Sequence, residues 1–309
     1  MMAFGRSAFA GGLLVFSSVG HADGSIGVDY LSSEVTISGF RDSATQIDSS
    51  GPGLSLAWNL GENWAVNFSR SNVDSDGVKE TSTIERISVG VESESSSNGL
   101  GLSYYGDNFW VSLRVRQSED EQRVRGFSRV NGTLGLDIDQ LQKVQTITFE
   151  LGRDWLLGNW SPALSVSLSQ QNLDIERVER FDSLNLSTLQ GLREELSGVD
   201  LGISASIAYY FQLSDSILLA PNLGLFQQTS LSGDVSGLAA YSQSRGGRSF
   251  RASQDYREKL NTPEATSLDF GINLLAGDWL WSVGTLTSLS DREGQESSSS
   301  WFAGLSYSF

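Results

Sequence analysis

Histidine and cysteine carry much of the nucleophilic, acid–base and metal chemistry of proteins, and this chain is almost without them. It has no cysteine and one histidine, His21. If His21 leaves with an N-terminal leader, a Ser-His-Asp relay has no base, and no Cys/His metal set can be assembled. The carboxylate pair Glu194-Glu195 lies in a polar stretch and reads as solvated charge rather than as an acid/base couple. No disulfide or thiolate chemistry is open to the chain. The expectation is a protein without enzymatic chemistry and without a cofactor. What remains is charge placed at alternate positions among apolar residues: Asp29, Arg114, Arg116, Glu150, Asp154, Asp200 and Asp269, with the amide Asn273. Two arginines among several carboxylates could form a charged constriction that filters solutes. They could equally close a narrow tube through an internal ion-pair network, and that plainer use is slightly preferred.

The elements that place those residues are strands. Five tight turns stand beside aromatic residues: Leu60–Asn63 between Trp58 and Trp64, Gly106–Asn108 before Trp110, Leu157–Asn159 between Trp155 and Trp160, Leu213–Ser216 after Tyr209-Tyr210-Phe211, and Ala276–Asp278 before Trp279 and Trp281. Gly, Asn and Asp are what hairpin turns require. Trp and Tyr favour the level where hydrocarbon meets headgroups. Trp58, Trp64, Trp110, Trp155, Trp160, Trp279 and Trp281 are therefore read as one girdle at one rim.

On either side of these turns apolar residues recur with period two. Leu54, Leu56 and Trp58 are followed by Trp64, Val66 and Phe68; Leu100, Leu102 and Tyr104 by Val111, Leu113 and Val115. Strands alternate faces in this way, and no segment holds a helical period over its length. Five hairpins supply ten strands. Ile26, Val28 and Tyr30 begin another, and the last nine residues form the twelfth. One region is ambiguous. Ile87, Val89 and Val91 alternate on odd positions but Leu100, Leu102 and Tyr104 on even ones, so the Ser-rich run between them is a bulge, a loop or an extra turn. An extra hairpin would make fourteen strands; twelve is the preferred count. Val35 and Ile37 switch parity in the same way after Tyr30.

The C-terminal stretch is the most telling. Trp301, Ala303, Leu305, Tyr307 and Phe309 share one face, and the sequence ends on that Phe. The pattern resembles the closing strand of bacterial outer-membrane β-barrels. The resemblance implies that Trp301, Leu305, Tyr307 and Phe309 are read by the outer-membrane insertion machinery. The whole plan, over residues 23–309, resembles the β-domain of autotransporters, a twelve-stranded class of similar length. It departs from that class in having no passenger domain, because the first strand follows within a few residues of the expected cleavage. The fold expected is all-β: a transmembrane antiparallel up-and-down barrel.

Composition agrees with this. After Arg6 comes an apolar, small-residue run from Ala8 to Val19, then Gly20-His21-Ala22. Residues 1–22 are thus expected to be a signal peptide for Sec-type export, removed before Asp23, with residues 23–309 as the barrel. Removing Arg6 leaves 20 basic and 37 acidic residues, a formal charge of −17, which excludes nucleic acid as a natural partner. The other rim carries polar stretches at 41–51, 71–84, 118–142, 170–197, 228–265 and 289–297, which read as long extracellular connections. The longest holds Arg245, Arg248, Arg251, Arg257 and Lys259, a basic segment in an acidic chain, which reads either as a solvated loop or as one that meets lipopolysaccharide phosphate or an acidic lumen.

Three functions fit a bacterial outer-membrane barrel of this kind. A small porin-like channel for passive passage of small solutes comes first. A structural or surface-interaction barrel whose loops bind partners or lipopolysaccharide comes second, and an autotransporter-type translocator third. Membrane lipid is a partner in all three.

Overall fold

The computed structural model describes residues 24–38, 44–82, 87–128, 134–183, 186–244, 265–289 and 295–309. The expected signal peptide and the basic segment from Arg245 to Lys259 lie outside these residues.

Twelve antiparallel strands run in chain order: β1 Gly24–Ser38, β2 Ala44–Asn59, β3 Trp64–Ser82, β4 Ile87–Tyr105, β5 Phe109–Ser128, β6 Leu134–Asp154, β7 Trp160–Ser183, β8 Leu186–Tyr209, β9 Ile217–Ser244, β10 Ala265–Ala276, β11 Trp279–Ser288 and β12 Gln295–Ser308. A short piece, Phe211–Ser214, continues β8 and pairs with β9 through Leu219↔Phe211 and Leu218↔Gln212. The interruption between them has a cause in β9. Pro221 stands opposite Tyr209 and has no N–H to offer it, so the ladder lapses there and resumes beyond Tyr210.

Each strand pairs with its neighbour in the chain, and β1 also pairs with β12 from Ser25↔Ser308 upward. Gly24 and Phe309 exchange backbone hydrogen bonds at 3.1 and 3.0 Å, which completes the ring. Closure leaves no edge of unpaired N–H and C=O groups, the condition for a sheet to sit in lipid. The tight turns cluster at the end that holds both Gly24 and Phe309. Three of them turn on glycines in the left-handed region, Gly61 (φ 82°), Gly158 (φ 66°) and Gly277 (φ 61°), where a side chain would be strained.

The parity ambiguity resolves without an extra hairpin. β4 pairs with β5 in one unbroken register from Ile87↔Ser128 to Tyr105↔Trp110, and the bulge falls instead on β3, between Ser75 and Val78. The polar stretches expected to be long loops need a larger correction. Most of their length is strand, because β5 to β9 run 20, 21, 24, 24 and 28 residues. Ladder hydrogen bonds are made by the backbone, so a polar side-chain pattern does not end a strand.

What changes along these tall strands is which face is apolar. Near the turns, Leu113 on β5, Phe149 and Leu151 on β6, and Leu164, Val166 and Leu168 on β7 are exposed on the outer face. Farther up, that same face carries Glu119, Glu121 and Arg123, then Lys143 and Asp139, then Asp174 and Glu176. The inner face changes in the opposite sense. Val124, Leu173 and Leu196 are buried there, with Val144 paired to Leu173 and Leu173 to Leu196. Apolar-outside is what hydrocarbon demands and apolar-inside what water demands. The switch marks the upper edge of the apolar band. Above it, β5 to β8 form a collar with a small core of its own.

Candidate functional site: the bore and its charged wall

The inward positions in the band are set by alternation with the exposed apolar set. β1 points Val28 and Tyr30 outward and so places Asp29 inward. β5 places Ser112, Arg114 and Arg116 inward in the same manner, β6 Glu150 and Asp154, β8 Asp200, and β10 Asp269 and Asn273. All eight sequence-expected residues thus stand at lumen positions of the described strands.

The structure sorts six of them into three groups. On the β5–β6 wall, Arg114 Nη2 contacts Glu150 Oε2 at 3.2 Å. Ser165 Oγ donates to Glu150 Oε1 at 2.8 Å, and Ser165 and Ser204 share a further bond at 2.7 Å. Arg116 Nη2 donates to Ser97 Oγ at 3.2 Å, and Ser97 to or from Ser71 at 2.9 Å. Its partner is neutral, so its charge stays uncompensated. The second group is the buried Asp200. Gln171 and Gln228 fold onto its Oδ2 from the two neighbouring strands, at 2.7 and 2.8 Å, while Oδ1 has no hydrogen-bond partner. Asp200 stands just below the apolar pair Leu173 and Leu196, at the neck between bore and collar.

The third group is Asp29 and Asp269, each laid flat against the wall. A Cβ at Gly53 would collide with the Asp29 carboxylate, and one at Gly224 with that of Asp269. The same arrangement recurs around the bore. Asn67 covers Gly101, Asn222 covers Gly271, Ser69 covers Gly99, and the rings of Phe226 and Phe302 reach over Gly202 and Gly284. Glycine here is a site of close approach: it lets the neighbouring side chain lie along the wall instead of across the tube. The ion pairs of the described residues likewise join adjacent strands or positions on one strand. Of these, Arg114–Glu150 lies in the bore and joins adjacent strands of its wall, and the others lie at collar height. Among the described residues no group of three or more acidic or histidine side chains is arranged to hold a metal ion.

One member of the expected girdle is misplaced. Trp110 shares the inward parity of Ser112 and Arg114, and its ring lies over Gly152 inside the bore. Phe109, exposed on the outer face, takes its position and contacts Tyr104 at 5.9 Å. Alternation with Val111, Leu113 and Val115 already carried that signal. The rest of the rim is a chain of aromatic pairs: Trp64–Tyr104 at 5.0 Å, Trp160–Tyr209 at 4.6 Å, Trp279–Tyr307 at 4.8 Å and Trp58–Phe309 at 5.8 Å. Trp155 lies under the Arg153 guanidinium at 5.4 Å, and Trp281 is exposed on the outer face one outward position in from Trp279. Of the C-terminal residues, Trp301 is outward beside Tyr30 at 5.9 Å, and Leu305 and Tyr307 pair with Val28 and Ile26.

A closed twelve-stranded barrel with an apolar belt, an aromatic rim and a polar bore defines the class: this is the fold of outer-membrane β-barrels. Within it, the chain resembles autotransporter β-domains. The translocator domain of the autotransporter NalP from Neisseria meningitidis superposes with a TM-score of 0.64 at 14% identity, over 94% of this chain and 90% of that one. The β-domain of the Bordetella autotransporter BrkA gives a TM-score of 0.59 at 15% identity, over 93% of this chain and 100% of that one. No protein-family model and no curated protein matches the sequence.

Proposed function

We propose that this barrel is a porin-like channel for passive passage of small solutes across a bacterial outer membrane, reached by Sec-type export and folded there by the insertion machinery. The observation that carries this is the construction of the bore. Polar and aromatic side chains are folded flat over glycines, and the Arg114–Glu150 pair joins neighbouring strands along the wall. Twelve strands at a spacing of about 4.8 Å and a tilt of about 40° make a ring about 24 Å across the backbone, leaving a passage of roughly 12 Å between side chains. Passage requires no chemical step, so no residue is assigned catalysis and no cofactor a role. Membrane lipid and lipopolysaccharide are its surroundings.

The test is planar-bilayer recording of the refolded, heat-modifiable protein. A stable unitary conductance is expected. A folded barrel that inserts and stays silent would reject the channel reading. It would favour a second one, which the collar supports: a surface-interaction barrel whose tall outer face, with exposed pairs such as Arg123–Asp139 at 2.9 Å, meets partners outside the membrane.

A further inference from the structure

Two acidic and two basic residues of the bore stand on separate walls, and the separation has a geometry. Asp29 is on β1 and Asp269 on β10, while Arg114 and Arg116 are both on β5. In a closed ring of twelve strands, β5 is four strands from β1 and five from β10, close to the opposite wall. The heights match as well. Arg114 and Asp29 are each five residues from the turn-side end of their strands, and Arg116 and Asp269 are each seven. At about 3.3 Å per residue and a tilt of about 40°, both levels fall within the apolar belt, roughly 13 and 18 Å from the rim.

Neither side is neutralised by the other, because flat packing over Gly53 and Gly224 holds the two carboxylates against their own wall. Arg114 is partly offset by Glu150, and Arg116 only by hydroxyls. The bore therefore has a negative face and a positive face at matching heights within the belt.

We propose that this transverse separation selects small zwitterions. The ammonium end of such a solute turns toward Asp29 and Asp269, and its carboxylate or phosphate end toward Arg114 and Arg116. The proposal rests on the channel reading. It goes further in making the arrangement of charges, and not only their sum, set what passes. The sum alone, in which Glu150, Asp154 and Asp200 join Asp29 and Asp269 against the two arginines, would favour cations of any shape. Opposed faces favour a solute carrying both signs a few ångströms apart, since each end then meets its complement without turning the other toward a like charge.

The experiment separates arrangement from sum. Asp269→Asn with Arg116→Gln removes one charge from each wall and leaves the net charge unchanged. In proteoliposomes, the swelling rate in β-alanine relative to the uncharged pentose arabinose should fall about twofold per lost contact, the factor Coulomb's law gives for unit charges ~8 Å apart in water. The cation/anion reversal potential should stay near that of the unaltered barrel. Asp29→Asn with Arg116→Gln is the second net-neutral variant, and heat-modifiable migration reports that each has folded. An unchanged β-alanine/arabinose ratio in both folded variants, with conductance intact, would overturn the zwitterion proposal and leave the channel reading standing. Absence of conductance and of arabinose swelling in the unaltered protein would overturn both.

Discussion

In the described residues the two sides of the barrel are built to different heights. From β5 to β9 the strands run 20 to 28 residues, whereas β10, β11 and β12 run 12, 10 and 14, and β1 runs 15. Within the apolar belt the two sides obey one rule, apolar outward and polar inward. Among the described residues, only the tall side continues far enough into water to show the rule inverted. Leu113 and Glu121 make the point on a single strand: they share the outer face of β5, and one sits in hydrocarbon and the other above it. A strand is thus not polar or apolar on a given face; each segment answers to the solvent at its own height.

Charge placed on the outer face should break this contrast most sharply. Leu113→Arg puts a guanidinium into the belt and should cost about 2–4 kcal/mol in a urea unfolding titration of the refolded protein in liposomes. Glu121→Arg, eight residues on and above the belt, should shift stability by no more than about 0.5 kcal/mol. Equal costs at the two positions would move the membrane boundary and dissolve the collar as a separate zone.

A smaller effect is expected from the collar's own core. Leu173 is 3% exposed between Val144 and Leu196. Leu173→Ala should cost about 2–3 kcal/mol. The loss should be local: faster amide exchange in the upper halves of β6, β7 and β8, with the belt amides and the short β10 and β11 unchanged. Uniform acceleration round the ring would show that the tall and low walls unfold as one unit.

The smallest effect is one of pH. Burial pushes the carboxyl of Asp120, on the inner face of the collar, above the ordinary carboxylate range. A raised folded-state value means that the folded collar holds the proton more tightly than the unfolded chain does. Ionisation therefore costs stability above that value, and the cost disappears as pH falls through it to the unfolded value. Asp120→Asn should stabilise the collar at neutral pH and coincide with the unaltered protein below the ordinary carboxylate range. A gain that grows on acidification would contradict the sign.

The belt was legible in the sequence because lipid imposes period two on every strand that crosses it, and residues such as Leu54, Leu102 and Phe270 keep strict alternation. The collar was not, because its outer face has the composition of a loop. Glu119, Arg123, Lys143 and Glu176 look like solvated connections when the inward partners Val124, Val144 and Leu173 are overlooked. The charged bore was legible as a set of residues. Its division into facing walls was not, since opposition across a ring depends on closure and register, which no single strand records. Trp110 departs from its expected place for a narrower reason: closeness to a turn points to the girdle, whereas parity with Ser112 points inward.

The mutual hydrogen bonds of Gly24 and Phe309 carry a consequence for chain order. Once β1 and β12 are bonded, the ring of strand pairs has no beginning. A circular permutant that joins 309 to 24 through a few glycines and opens between Ser183 and Leu186 would keep every strand pair of the native ring. It would start at β8 and finish at β7, placing the terminal aromatic face in mid-chain. Such a molecule separates the information that shapes the finished ring from the information that delivers it to the membrane. Refolding in detergent reads only the first, and insertion in a living cell reads both.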